Sequence, residues 1–546
     1  MSTADYVLMG AGFSITLLLS AVLGHGRIFW EDEMLGWMLL TDPSWHHMVA
    51  AWRLGADGGG FAFYLLGRAW LHAFGPSEAA FRLFSATGFG LGFVLTYATL
   101  RRFYVRWIVV VAMFNTYFCS QPLVLHMVEG RFYGLLVFAL ALTVWLAVRL
   151  RDYKGRLTPF FFVAVLFAHA LLVTSHILGV TYSFFVLAAM FALDRQAQRW
   201  RPGLYATVAV TWLLLVPERE AIRASAQVGK PWFWTTQPTP VHLLGPVTGY
   251  SAEIVLVMFV LTIGIGLTLR RGVRGWKQRW IDGWNTRRSV YVFIASFLLL
   301  ALTYLIEGYF GPVLFVSRYL MPLVILTAFL TAEMLQWIDF RCVLPQWILS
   351  SAEAQRRARW AGSAMLAAVV LLWDSTHIPP LLIMQPNYTD QLTAMLPKGV
   401  PVLLEDGLTF TEVIGRQHNS GVDYLFPLDW EQSVSPYAPR LEVTQYNLMN
   451  NWRKAGYFSG SIVNLKDFLA ATPTFLVVDG VTYAKGKPVL PEIGNPLALR
   501  FAKTRGYTVK AYAAMRRDSL VRTAWLVTHD PRTTGVPAPR GPLDTR

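Results

Sequence analysis

Residues 6–23 read YVLMGAGFSITLLLSAVL, and residues 29–33 that follow read FWEDE. The first stretch is 18 residues long and carries no charge, close to the roughly 20 needed to cross a hydrocarbon core. It has no basic run before it and no small-x-small cleavage site after it. It therefore reads as a retained first membrane helix that also serves as the export signal. The second stretch places three carboxylates, Glu31, Asp32 and Glu33, directly beyond that helix.

The rest of the chain fits this start. Of 546 residues, 54% are hydrophobic and 14% aromatic, with 21 Trp, while only 15% are charged; mean hydropathy is +0.41. Soluble domains rarely reach half apolar. The net charge of +15 points to basic cytoplasmic loops, since no basic stripe on a soluble face suggests nucleic acid. Two cysteines, Cys119 and Cys342, exclude a disulfide scaffold and a cysteine zinc site.

Eleven stretches read as candidate spans, at roughly 6–24, 78–100, 107–122, 132–148, 158–174, 177–193, 203–217, 251–269, 289–306, 315–337 and 360–376. With the N-terminus cytoplasmic, stretches 101–106, 149–156, 194–202, 270–288 and 338–360 share one side and hold 21 Lys and Arg. The opposite stretches 25–77, 121–131, 175–176, 218–250 and 307–318 are longer and hold 8. This bias sets the orientation.

Beyond about Pro379 short β-rich runs, such as 400–404 and 474–478, alternate with helix-like segments such as Leu465–Ala471 and Pro496–Thr504, the latter stopped by Gly506. The expected architecture is a polytopic α-helical membrane protein of about 11 transmembrane helices with a C-terminal soluble α/β domain. Residues 1–376 form the transmembrane catalytic domain with periplasmic loops 25–77 and 218–250. Residues 377–530 form a periplasmic α/β domain, and 531–546 a disordered tail.

Ionisable residues at membrane depth serve function or pair with one another, and here they gather on the outer side. Asp32 and its neighbours repel one another; one such carboxylate can take a proton from an acceptor hydroxyl, or the three form a solvated acidic turn. In Glu129-Gly130-Arg131-Phe132-Tyr133, Arg131 can hold phosphate oxygens. Glu129 can orient it, bind a metal or the acceptor, or form with it a pair that caps a helix. His176 is either a satisfied interfacial residue or part of a site. Arg318, in Ser317-Arg318-Tyr319, can bind phosphate or snorkel. In Lys230-Pro231-Trp232-Phe233-Trp234 the aromatics beside a cation suit a sugar or isoprenoid cradle, or an interfacial belt. Ser77 reads as an N-cap, and Glu78 and Arg82 as a structural pair. Segment Phe61–Phe74 is amphipathic and too short to span, so it is expected along the interface. The adjacent His46 and His47 make a poor metal pair. Gly58-Gly59-Gly60 lacks the strand–helix context of a phosphate loop.

Taken in order, these residues resemble the GT-C glycosyltransferases, in particular the protein O-mannosyltransferase and aminoarabinose–lipid A transferase superfamily. Asp32-Glu33 matches the family's acidic pair in the first outer loop. Gly75, Ser77, Glu78, Arg82, Leu83 and Ser85 match its G-x-S-E…R-L-x-S element. Glu129, Arg131 and Tyr133 precede the fourth span as expected, His176 follows a middle helix, and Arg318, Tyr319 and Pro322 open a late one. Where many relatives carry a Pro-Pro-Leu-Tyr-like element, this chain has Gly59-Gly60 before Phe61-Ala62-Phe63-Tyr64.

The resemblance implies transfer of a sugar, with inversion, from a polyprenyl-phosphate donor to a hydroxyl of a lipid, a cell-envelope glycan or a protein. Asp32 would be the general base, with Glu33 and Glu129 assisting. Arg131, Arg318 and Lys230 would stabilise the leaving phosphate. Tyr64, Tyr133, His176, Trp232 and Tyr319 would line the substrate site. No cofactor is required; a divalent cation is an open option, and no metal ligand is assigned. The implied location is a bacterial inner membrane. The runner-up reading, a transporter or flippase for a lipid-linked saccharide, calls for midplane charges and two related halves, and the sequence has neither.

Overall fold

The computed structural model describes residues 1–25, 27, 29–153, 155, 157–230, 237–249, 251–270, 276–310, 316–338, 353, 388–417, 420–435, 440–478, 482–484, 487–490, 496–517 and 520–529, without side chains at 121, 276, 317, 388, 440–441, 482–484, 487–490, 515–517 and 520–521. The candidate span 360–376, Trp232 and the tail 531–546 lie outside these residues. The chain divides into two compact units: Met1–His25, Gly59–Pro217 and Gln237–Met384 in one, and Gly26–Gly58, Glu218–Thr236 and Gln385–Arg546 in the other.

The first unit is helical. Among the described residues six helices are long and apolar enough to cross a membrane: Thr3–Gly24, Glu78–Leu100, Tyr133–Asp152, Ala252–Arg270, Lys277–Phe310 and Arg318–Trp337. Several other expected spans are interrupted where the sequence supplies a break. The helix Arg106–Phe118 stops at Cys119, and Ser120 then caps a new helix, Gln121–Met127, with Pro122 in its first turn. Stretch 203–217 passes through a 3-10 turn at Trp212–Leu214. Among the six, the last begins as a 3-10 stretch, Ser317–Leu323, containing Pro322, and continues as the α-helix Val324–Trp337.

In lipid the hydrophobic effect does not press helices together, so close packing must. Helices Glu78–Leu100 and Tyr133–Asp152 meet at glycines. A Cβ on Gly134 would stand 1.9 Å from the Ser85 carbonyl oxygen, and one on Gly88 would stand 2.3 Å from the Gly134 carbonyl carbon. Gly60 has the same reason to be glycine. Its N–H donates to the Ser175 carbonyl at 3.1 Å, and a Cβ there would lie 2.2 Å from the Thr174 oxygen. Gly60 is thus a packing position, whereas a Cβ on Gly58 would meet nothing within 4 Å. Ser77 accepts from the Ala80 N–H at 3.2 Å, the expected N-cap, and buried Arg82 donates to the Gly24 carbonyl at 2.8 Å.

The basic loops converge at one end of this unit. Arg101 and Arg106 donate to buried Asp5 at 2.8 and 3.0 Å. Arg102 pairs with Asp152 at 2.5 Å, Arg201 with Asp194, and Arg199 reaches the Arg151 carbonyl at 2.9 Å. Three of the five stretches assigned to one side from their charge, 101–106, 149–156 and 194–202, are therefore neighbours in space.

The second unit contains a six-stranded sheet of order β3-β2-β1-β4-β8-β7. Its strands are β1 (Val402–Leu404), β2 (Tyr424–Leu428), β3 (Ile462–Asn464), β4 (Thr474–Val478), β7 (Tyr507–Arg517) and β8 (Leu520–His529); β5 (Thr482–Ala484) and β6 (Lys487–Leu490) form a separate antiparallel pair. Strands β1 to β4 are parallel, and β8 and β7 extend the sheet antiparallel. Leu403, Phe475, Val477, Phe468 and Phe501 fill one face, while Phe410, Phe426 and Phe458 stack on the other. Helices Leu465–Ala471 and Leu497–Lys503 and strand β4 fall where the sequence places them, and Gly506 takes φ +95°.

Loop segments belong to this unit too. Trp452 Nε1 donates to the Ala56 carbonyl at 2.8 Å, and Asn447 Nδ2 to the Lys230 carbonyl at 3.0 Å. Asp42 accepts from His47 Nδ1 at 2.6 Å and from the Tyr457 hydroxyl, while His47 Nε2 donates to the Ala455 carbonyl at 2.6 Å.

Candidate functional site

Most of the sequence-derived site residues lie in the helical unit, at the end away from the arginine cluster. Helix Tyr133–Asp152 has 20 residues, about 30 Å of rise, and separates Tyr133 from the Asp152–Arg102 pair. The turn before it holds Glu129 and Arg131, both buried. Gly130 allows that turn: a Cβ would sit 2.4 Å from the Phe81 ring. Glu129 accepts from His126 Nδ1 at 2.5 Å, and the His126 ring lies 5.0 Å from that of Tyr133. The Arg131 guanidinium stands 5.0 Å from the centre of the Phe132 ring.

His176, in the loop after helix Pro159–Ser175, is buried and joins these elements. Its ring stacks on Phe132 at 4.6 Å and meets Tyr319 at 4.8 Å. Nδ1 accepts the Leu178 N–H at 3.2 Å, so the proton of the neutral ring is on Nε2. Burial, and then the charges of Arg131 and Arg318, push the pKa of His176 down to about 3. The ring is a neutral donor beside two guanidinium groups. Tyr182 fixes the Tyr319 backbone with a 2.8 Å bond to its carbonyl.

Arg318 lines a cavity together with His126, Ser120, Leu123, Pro246 and Met321. Leu320, Leu323 and Val324 extend its apolar wall. Cationic and imidazole groups in an apolar lining suit a lipid phosphate. Tyr64 is fully buried in the same unit, its ring 5.3 Å from Phe63. The sequence reading missed His126, although its i, i+3 spacing to Glu129 was a signal.

Asp32 and Glu33 lie in the second unit, with Glu31, in the first turn of helix Glu31–Thr41, where the helix dipole favours negative charge. Glu33 is fully buried and Asp32 half-buried. A Cβ on Gly415 would stand 2.1 Å from the Met34 methyl, so this helix packs tightly on helix Gly407–Gln417. Lys230 is exposed, with its backbone carbonyl held by Asn447. Among the described residues no three His, Cys, Asp or Glu side chains are grouped to hold a metal ion.

No protein-family model and no curated protein matches the chain. Solved structures do. ArnT from Cupriavidus metallidurans bound to undecaprenyl phosphate is 11% identical, with a TM-score of 0.57 over 100% of both chains. The apo state of ArnT from the same organism has a TM-score of 0.53 at 11% identity, over 99% of this chain and 100% of that one. The chain is a polytopic helical membrane protein with a C-terminal α/β region, and its fold is similar to that of ArnT.

Proposed function

We propose that this chain is an integral membrane glycosyltransferase of the bacterial inner membrane. It moves a sugar from a polyprenyl-phosphate donor to a hydroxyl of a lipid, a cell-envelope glycan or a protein on the periplasmic side. The observation that carries this reading is the apolar cavity at Arg318 and His126, in a chain whose fold is similar to ArnT bound to undecaprenyl phosphate.

In the proposed reaction the Asp32 carboxylate takes the acceptor proton, and the acceptor oxygen bonds to the anomeric carbon with inversion. The bond from that carbon to the phosphate oxygen breaks, and its electron pair leaves with the lipid phosphate. Phosphate is already a good leaving group, so no general acid is needed. The developing charge is met by Arg318 and Arg131, with Lys230 and the Nε2–H of His176 as further donors. Glu33 and Glu129 position the base and the cations, and Tyr64, Tyr133, Trp232 and Tyr319 shape the substrate site. The test is turnover of a panel of polyprenyl-phosphate sugars by purified protein with an envelope acceptor fraction, wild type beside Asp32→Asn. Transfer that the substitution removes supports the reading; equal transfer by both proteins removes Asp32 from it.

A further inference from the structure

The α/β unit has its own cleft, and nothing in the proposed reaction uses it. Three of its lining residues directly follow three parallel strands: Glu405 after β1, Asp429 after β2 and Leu465 after β3. Crevices at the carboxyl ends of parallel strands are where open α/β sheets bind ligands. The chain winds outward from β1 through β2 to β3, then returns to place β4 on the other side of β1. The cleft is open to solvent and is lined by both polar and apolar side chains.

The decisive side chain is Gln432. It is 7% exposed and lines the cleft, and neither its amide nitrogen nor its carbonyl oxygen has a hydrogen-bond partner among the described residues. A buried carboxamide left in that state is costly. A ligand that both donates and accepts would satisfy it, and a hydroxyl does both. Around Gln432 stand Glu405, Asp429 and Glu442, which accept, and Arg500, which donates to Asp429 at 2.6 Å. Three carboxylates against one guanidinium disfavour an anion. Tyr446 lines the cleft, and Trp430, 45% exposed, lies 5.1 Å from its ring. Such aromatic faces suit the C–H face of a sugar ring.

We propose that this cleft is a saccharide site that takes a non-acidic, polyhydroxylated ring. On the glycosyltransferase reading above, on which this assignment rests, it holds the glycan portion of the acceptor. It adjoins the acidic turn of the same unit. A Cβ on Gly407 would lie 3.4 Å from Cδ of the cleft residue Gln445 and 3.4 Å from Oε1 of Glu31, the residue before Asp32.

The test is saturation-transfer NMR on the full chain in phosphatidylcholine nanodiscs, which carry no sugar headgroup, with D-glucose, D-mannose, D-galactose and D-glucuronate as probes. Saturable binding of a neutral hexose, with glucuronate weaker, is expected. Gln432→Met and Glu442→Gln should each weaken it about tenfold. No binding of any neutral hexose, or equal affinity in Gln432→Met, would overturn the site. So would glucuronate binding as well as glucose, or a Gln432→Met protein that melts earlier than wild type, since that would give the carboxamide a structural role. Saccharide binding without any sugar transfer would keep the site and remove the glycosyltransferase reading. Transfer with the same acceptor KM in wild type and Gln432→Met would do the reverse.

Discussion

The cavity at Arg318 and the cleft at Gln432 have contrasting linings. The first is walled by Leu123, Met321, Leu323 and Val324, with Arg318 and His126 as its basic groups. The second is edged by Glu405, Asp429 and Glu442, with Arg500 paired to Asp429, two glutamines and a tyrosine. An apolar wall with a cation selects a lipid carrying a phosphate. An acidic, amide-rich edge rejects phosphate and suits hydroxyls. The contrast fits the two substrates of the proposed reaction, a lipid phosphate for the first lining and a glycan for the second.

The largest effect that bears on this division is expected from Asp32→Asn. Loss of a general base lowers turnover by about 10²–10⁴, and binding of undecaprenyl phosphate should be unchanged, because Asp32 is not among the residues assigned to the phosphate. If the variant lost lipid binding as well, the division would fail. Arg318→Ala is the reciprocal change. Removing one charge-assisted contact should weaken undecaprenyl phosphate binding roughly 10- to 100-fold, measured by titration in nanodiscs, while hexose binding stays at the wild-type value. A parallel loss of hexose binding would mean that the two sites are not separately charged.

The units also differ in what holds them together. Helices of the membrane unit close on Gly88 and Gly134, whereas the sheet of the other unit closes on Phe475, Val477 and Phe501. Gly134→Val forces a side chain into the Ser85 carbonyl and should destabilise the helical unit by about 1–3 kcal/mol. Hydrogen exchange resolved by peptide should register this in residues 78–100 and 133–152 and leave β1 to β4 protected as before. Lost protection throughout both units would show that they unfold as one.

Much of this division was legible in the sequence. Charge bias sorted the loops, because arginines at one end of the bundle must find carboxylates or carbonyls, and Asp5, Asp152 and Asp194 supply them. Alternation of short apolar runs with helical segments revealed the α/β unit, since period-2 and 3.6-residue patterns differ within a few residues. The clustering of Arg131, His176 and Arg318 followed from their shared position at helix ends. Other features were not legible. The 3-10 turn at Trp212–Leu214 sits inside a largely apolar run, and hydropathy does not register a change of hydrogen-bond pattern. The cleft escaped because Gln432, Glu442 and Arg500 are ordinary surface residue types, and only the crossing of the chain over β1 gathers them. His47 was weighed only as a metal ligand, while its actual partners, Asp42 and Ala455, are set by the fold.

The smallest effect concerns that histidine. Both ring nitrogens of His47 face acceptors, Asp42 Oδ2 and the Ala455 carbonyl, and the ring stacks on Tyr457 at 4.6 Å. Two acceptors require two N–H donors, so the folded state holds the imidazolium. The Ala455 carbonyl raises its pKa above 6.5; burial opposes this, and the Asp42 carboxylate adds to the rise. Burial alone would raise the Asp42 carboxyl, but Tyr457, the Ser44 N–H and His47 bring it below its usual 3.8. For His47 the stabilisation is complete below 6.5 and is lost as pH climbs through the raised value. For Asp42 it is present above 3.8 and is lost as pH falls through the lowered value. The clasp is thus strongest between these limits. The imidazole is 41% exposed, so solvent screening keeps its contribution to about 1 kcal/mol or less. His47→Phe keeps the stacking and removes both donors. Its melting temperature should fall below wild type near pH 6, and the gap should close toward pH 9. A gap independent of pH would mean that His47 acts here through stacking and shape, and that the α/β unit owes nothing to the charge it carries.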